Sequence, residues 1–260
     1  MLVFGTRPEA IKMCPLVNEL KENDSIKTIV CVTGQHKEML DQVLNVFKVV
    51  PDYDLGIMKA NQTLFTITTS ILDKIQVVLE QEKPDIVLVH GDTSTTFATA
   101  LAAFYMGIKV GHVEAGLRTY NLQSPFPEEF NRQTTSIIAD YHFAPTKMAK
   151  ENLLKEGRKN IFVTGNTVID ALKTTVQDNY HHPILEWAKD SKLIMLTAHR
   201  RENLGQPMEN MFNAVNRILN EFEDVKVVYP IHKNPKVREL ASKVFGDNER
   251  TVSYTHLTLP

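Results

Sequence analysis

The sequence predicts an α/β fold built on a doubly wound parallel sheet, and three observations carry that expectation. Short, β-branched apolar runs such as Ile86–His90 are apolar on both faces, as buried parallel strands are. Between consecutive runs lie stretches with helical spacing, for example Thr93–Tyr105 between Ile86–His90 and Ile108–Val113. The order strand, helix, strand, helix then repeats along the chain, which is the pattern of right-handed crossovers in one parallel sheet.

Met1–Phe4 is the first strand, and it ends in Gly5-Thr6-Arg7-Pro8-Glu9. Thr6 can cap a helix, Pro8 suits its first turn and Glu9 complements its positive end. That helix continues through Ile11, Leu16, Val17 and Leu20, with a kink expected at Pro15. Arg7 and Lys12 therefore lie near a strand-to-helix turn, either as solvated cations or as part of an anion site. Ile26–Thr33 is the second strand, followed by Gly34, Gln35 and His36 and a helix through Met39, Leu40, Val43 and Phe47. His36, taken alone, reads first as a surface or capping residue, with ligand binding as the alternative. A third helix spans Asn61–Leu79, and Pro84 leads into the central strand.

Asp92 follows Ile86–His90, and Glu114 follows Ile108–Val113. Ligands in open α/β sheets bind outside the carboxyl ends of the strands, so both acids are expected to face one cleft. The run Thr93-Ser94-Thr95-Thr96 suits a capped helix start, and its hydroxyls suit sugar or phosphate oxygens as well. An irregular, proline-containing segment then leads to Glu128, Glu129, Asn131 and Arg132. Glu128 is either a helix N-terminal acid or a third acid of the cleft. Tyr141–Ala144 and Ile161–Val163 are two further strands.

A change of domain is expected at Gly165–Asp170, dividing the chain into 1–168 and 169–250. The polar stretch beyond it contains His181-His182, read as exposed because no third ligand is spaced nearby. Lys192–Thr197 starts a new strand ending in Ala198-His199-Arg200, and a helix follows through Met208, Met211, Phe212, Val215 and Leu219. Val225–Tyr229 precedes His232, and Lys236–Phe245 is the last helix. The second domain then has only about 80 residues against the usual 100 to 150, so it is expected to be incomplete. Residues 251–260 are expected to be a non-native tail, because Ser253–Pro260 resembles a translated sequencing adapter.

Composition narrows the function. Across 260 residues, 43% hydrophobic and 23% charged, the balance is that of an ordinary globular protein. A net charge of -2 offers no basic footprint for nucleic acid, so a phosphorylated partner must be held by local geometry. Cys14 and Cys31 sit in no metal-ligand spacing and argue against a disulfide framework. No apolar run approaches a membrane span and no signal peptide is recognisable, so a cytoplasmic location is expected.

FGTRPEAIK, TGQHKEML, LVHGDTSTT, GHVEAGLRT, SPFPEEFNR, FVTGNTVIDAL and AHRREN, in that order, resemble the non-hydrolysing UDP-N-acetylglucosamine 2-epimerases of bacteria. The resemblance implies two Rossmann-like domains facing a cleft, as in glycosyltransferase-B enzymes, the second incomplete here. It implies interconversion of UDP-N-acetylglucosamine and UDP-N-acetylmannosamine for cell-envelope polysaccharide, by elimination of UDP to a 2-acetamidoglucal and re-addition. No cofactor, nicotinamide or metal, is implied, and the partner expected is a second copy in a homodimer.

By the same resemblance Asp92, Glu114 and Glu128 form the acid/base set, with Lys12 and His199 completing the catalytic residues. Arg7 and Arg132 bind substrate. Gln35, His36, Gln62, Arg200 and His232 match an activating second site for UDP-N-acetylglucosamine. Which carboxylate takes the C2 proton stays open. The family's later segments that grip uridine and phosphates have no counterpart here, so weak UDP binding and little turnover are expected of this polypeptide. The alternatives are a hydrolysing relative that releases free N-acetylmannosamine and a non-catalytic nucleotide-sugar binding module.

Overall fold

The computed structural model describes residues 1–34, 37–59, 62–199, 203–232, 234–246 and 248–254. The chain divides into two compact units, Met1–Val176 and Gln177–Pro260.

In the first unit, strands β1 (Leu2–Phe4), β2 (Val30–Val32) and β3 (Tyr53–Asp54) alternate with helices α1 (Arg7–Lys21), α2 (Lys37–Val46) and α3 (Leu64–Glu82). The alternation continues through β4 (Ile86–His90), α4 (Ser94–Tyr105), β5 (Lys109–Val113) and α5 (Glu128–Ile138). It ends with β6 (Tyr141–Ala144), α6 (Lys147–Lys155), β7 (Ile161–Val163) and α7 (Val168–Thr175). The strands form one parallel sheet in the order β3-β2-β1-β4-β5-β6-β7. The expected doubly wound α/β architecture is therefore present.

The sequence pattern explains the core. Val3, Cys31, Val87, Val89 and Val110 from the strands and Ile71, Ile75 and Leu79 from α3 are almost wholly buried in one cluster. Each such branched side chain contributes about 1.5–3 kcal/mol relative to exposure. Helix α4 is enclosed by α3, α5 and the sheet, and its alanines 98, 100, 102 and 103 and threonines 95, 96 and 99 are buried. Small side chains let these two helices and the strands approach it closely. Gly111 serves the same purpose in β5, where an added Cβ would lie 2.5 Å from Leu88 Cδ2.

Several expectations change in detail. Pro15 lies within α1 without ending it. The second strand is shorter than Ile26–Thr33, because residues 26–29 carry no strand pairing ahead of Val30. Strand β3 and helix α6 were not expected: β3 is only a two-residue edge strand, and α6 shows itself mainly through its Thr146 cap, which accepts from the Ala149 N–H at 3.1 Å. The polar stretch after Gly165 begins with α7, which packs on α1 within the first unit.

The second unit contains α8 (Pro183–Trp187), β8 (Lys192–Met195), α9 (Gln206–Glu221), β9 (Val225–Pro230), α10 (Pro235–Phe245) and β10 (Thr251–Tyr254). Its parallel sheet has the order β10-β9-β8. Met208, Phe212, Val227, Tyr229, Val237 and Phe245 form its core. Thr251–Tyr254, expected as tail, is paired along β9, whereas residues 255–260 lie outside the described residues. No described helix is long and apolar enough to cross a membrane.

Candidate active site

The strand order reverses between β1 and β4. The chain leaves β1 for β2 on one side and β4 for β5 on the other, which opens a crevice at the carboxyl ends of these neighbours. Strand β1 runs into the turn Gly5-Thr6-Arg7, and β4 runs into Gly91-Asp92-Thr93.

Glu9 ties these two turns together. It is 2% exposed, and its carboxylate accepts from the backbone N–H groups of Gly5 and Thr6 at 3.0 and 2.7 Å. It also accepts from the hydroxyls of Thr93 and Thr96 at 2.7 and 3.3 Å. Burial pushes its pKa up, against the hydrogen bonds from Thr93, Gly5 and Thr6. The turns approach so closely that an added Cβ on Gly5 would lie 1.8 Å from Thr33 Oγ1 and 2.7 Å from Thr95 Oγ1. Those two hydroxyls pair with each other at 3.0 Å.

Asp92 is half-buried at the end of β4. Arg132 reaches it with Nη2 at 3.4 Å from Oδ2, while Arg132 Nε lies 3.1 Å from Glu129 Oε2. Glu129 is fully buried and accepts from the N–H groups of Thr119 and Tyr120 at 3.0 and 2.9 Å, which fastens the irregular segment to α5. Asn131 donates to the Asp92 carbonyl at 2.9 Å. Burial raises the Asp92 pKa to about 6; Arg132 opposes the shift, and the charges of Glu128, Glu114 and Glu9 add to it. Glu128, in the first turn of α5, is thus close enough to act on Asp92.

Glu114 follows β5 in the left-handed region, at φ 64°, where a residue with a Cβ is strained by on the order of 1–3 kcal/mol. Its Oε2 accepts from Lys12 Nζ on α1 and from Asn166 Nδ2 at 3.2 Å. His90 Nε2 stands 3.9 Å from the same oxygen. Burial, with the Lys12 charge, lowers the His90 pKa to about 3, so the imidazole is neutral.

Of the residues singled out in the sequence, Lys12, Asp92, Glu114, Glu128 and Arg132 come together at this end of the larger sheet. Arg7 sits in the α1 turn, half-buried and with no partner among the described residues. Gln62 lies between β3 and α3 and donates to the Ile57 carbonyl at 2.6 Å. His199 and His232 follow β8 and β9 in the second unit and stack on each other, ring centroids 5.6 Å apart and 27° between planes. Gln35, His36 and Arg200 lie outside the described residues.

Sequence reasoning missed Glu9, His90, Glu129 and Asn166 as members of the site. Glu9 carried a helix-capping signal that hid its span between two turns, and Asn166 was read only as part of a domain boundary. Among the described residues, no three His, Cys, Asp or Glu side chains are grouped to hold a metal ion. The arrangement offers a carboxyl group that changes protonation near neutral pH, a second carboxylate paired with an ammonium, and cations beside them. Such a set can move a proton at carbon and receive a departing anion.

The chain is similar to known proteins along nearly its whole length. The family model described as UDP-N-acetylglucosamine 2-epimerase matches residues 18–259. A Bacillus subtilis protein named UDP-N-acetylglucosamine 2-epimerase is 65% identical over 252 residues, covering 96% of this chain and 66% of its own length. A crystal structure of the Neisseria meningitidis UDP-GlcNAc 2-epimerase bound to UDP-GlcNAc is 48% identical, with a TM-score of 0.88 over 97% of this chain and 71% of that one. The S. aureus MnaA structure with UDP is 54% identical, with a TM-score of 0.91 over 99% of this chain and 69% of that one. The chain thus spans about two thirds of the length of the relatives it matches. A family model along nearly the whole chain, relatives of this identity and the paired strand-end carboxyls lead to one assignment: the chain belongs to the UDP-N-acetylglucosamine 2-epimerase family.

Proposed function

We propose that the protein carrying this chain interconverts UDP-N-acetylglucosamine and UDP-N-acetylmannosamine without net hydrolysis. The reaction removes the C2 proton to a carboxylate, and the electron pair left on the sugar expels UDP by breaking the C1–O bond. UDP then adds back to the glucal at C1 while a proton is delivered to the other face of C2. Atoms balance with no external oxidant or reductant.

The observation that carries this reading is the cluster of Asp92, Glu114 and Glu128 around Lys12 and Arg132. Asp92, with a pKa raised to about 6, suits a group that takes and returns protons near neutral pH. Lys12, Arg7 and Arg132 are the groups suited to holding the substrate and the departing diphosphate. A catalytic role for His199 rests on the family resemblance alone, as do the activating site, the homodimer, the cytoplasmic location and the role in cell-envelope polysaccharide.

The test is solvent exchange. The full product of the reading frame that encodes these residues is incubated with UDP-N-acetylglucosamine in D₂O and followed by NMR. Deuterium at C2 of both UDP-linked sugars is expected. Release of free N-acetylmannosamine would select the hydrolysing relative, and binding without exchange would select the binding module.

A further inference from the structure

Three histidines lie buried on β4, β5 and β6, His112 and His142 paired on one face of the sheet and His90 on the other, and they differ in how they are satisfied. His142 holds two backbone carbonyls, of Ser136 and Lys159, each at 3.1 Å. His112 holds the Gly91 carbonyl through Nε2 at 2.7 Å and leaves Nδ1 without a hydrogen-bond or ion-pair partner among the described residues. His90 is 4% exposed, and among the described residues its Nε2 has no hydrogen-bond partner. A buried nitrogen without a partner normally costs about 1–3 kcal/mol, so its direction matters. It is aimed at Glu114 Oε2, 3.9 Å away.

We propose that His90 is a positioning residue for Glu114, a neutral imidazole whose Nε2 lone pair receives the hydrogen of the Glu114 carboxyl whenever that group carries a proton. The inference rests on the acid/base reading of Glu114 given above. Its basis is the shared oxygen. As a carboxylate, Oε2 is held by Lys12 and Asn166, and the Nε2 lone pair faces it without attraction. A proton on Oε2 cancels the charge that Lys12 holds and supplies the donor that Nε2 lacks. Closing the gap by about 1 Å then makes an ordinary O–H···N bond.

The ring is set up for this role. The role requires the neutral tautomer with its hydrogen on Nδ1, which leaves the Nε2 lone pair bare. The groups facing it are Glu114 from the end of β5 and Lys12 from α1, with His112 of the neighbouring strand on the other face of the sheet, and the ammonium of Lys12 opposes its protonation. His90 stays neutral throughout. The proton travels only between the carboxyl set and the sugar, and the carboxyl alternates between an ammonium partner and an imidazole partner.

The test labels histidine side chains with ¹⁵N in this chain and follows two-bond ¹H–¹⁵N spectra between about pH 5 and about pH 9. His90 is expected to remain the Nδ1–H tautomer across that range. In Glu114→Gln the amide N–H mimics the protonated carboxyl, and the Nε2 resonance is expected to move in the direction of hydrogen bonding; Asp92→Asn leaves it in place. A protonated Nε2 in the unsubstituted chain, or an Nε2 unmoved in Glu114→Gln, overturns the proposal. In the full product, His90→Phe is expected to lower kcat for C2 exchange about 10- to 100-fold with KM within about twofold. A comparable rise in KM would instead mark a general structural role and overturn it. If the unsubstituted enzyme shows no exchange while the spectra behave as expected, the epimerase reading fails and the His90–Glu114 contact stands.

Discussion

Replacing Arg132 by Met removes the cation beside Asp92 while keeping an unbranched apolar stem, and the structure sets the size of the effect. The guanidinium lies 3.4 Å from Oδ2, and the Asp92 side chain is 32% exposed. Coulomb's law at that separation gives roughly 1–5 kcal/mol for effective dielectric constants between about 80 and about 20. Solvent access favours the lower end, about 1–1.5 kcal/mol, or about one pH unit. Arg132 favours the carboxylate, so its loss raises a pKa that already stands at about 6. At pH 7 the ionised fraction of Asp92 then falls from roughly nine tenths to roughly one half. Carbon-detected NMR of the Asp92 carboxyl gives the midpoint directly, and the acid limb of C2 deuterium exchange should move with it. Arg132→Lys keeps the charge and should leave the midpoint within a few tenths of a unit. A midpoint that stays put or falls in Arg132→Met would refute the reasoning, since burial and neighbouring acids would then set the pKa without the guanidinium.

Stability should respond to the same residue in the opposite sense to activity. The folded pKa of Asp92 is raised, so its protonated form stabilises the fold below the unfolded value near 3.8, and that stability is lost as pH rises through about 6. Asp92→Asn should therefore stabilise the protein by about 1–2 kcal/mol at pH 8, with no gain near pH 3.5, as read from urea unfolding at the two pH values. Glu9→Ala should cost about 2–4 kcal/mol in the same assay, because it leaves the Gly5 and Thr6 N–H groups and two threonine hydroxyls without their acceptor. Gly116→Ala should cost on the order of 3 kcal/mol or more: φ is +92°, and the new Cβ would lie 2.3 Å from the Ala149 carbonyl oxygen, which is backbone and cannot swing away. A melting temperature unchanged within about 2 °C would contradict either substitution.

How much was legible in the sequence follows from the range over which each signal acts. Ile86–His90 and Ile108–Val113 declare buried strands locally, and Thr93 declares a helix start, so the type of these elements could be read residue by residue. Asp92 and Glu114 could be named because each follows its strand directly. Strand β3 could not be read, since two residues at a sheet edge carry no periodicity. Nor could Glu9 be recognised as the tie between two turns, because its partners Thr93 and Thr96 lie 84 and 87 residues away. His90 looked like the end of an apolar run, and only the neighbouring strand shows what its ring faces.

Taken alone, the sequence determined the alternation of strands and helices, the parallel sheet and the strand-end placement of the two acids, because hydrophobic period and capping chemistry act over a few residues. The tertiary structure decided the strand order that opens the crevice between β1 and β4, and with it the meeting of Lys12 with Glu114 and of Arg132 with Asp92. It also decided the raised Asp92 pKa, since burial and the charges of Arg132, Glu128, Glu114 and Glu9 act through space on groups far apart in the chain.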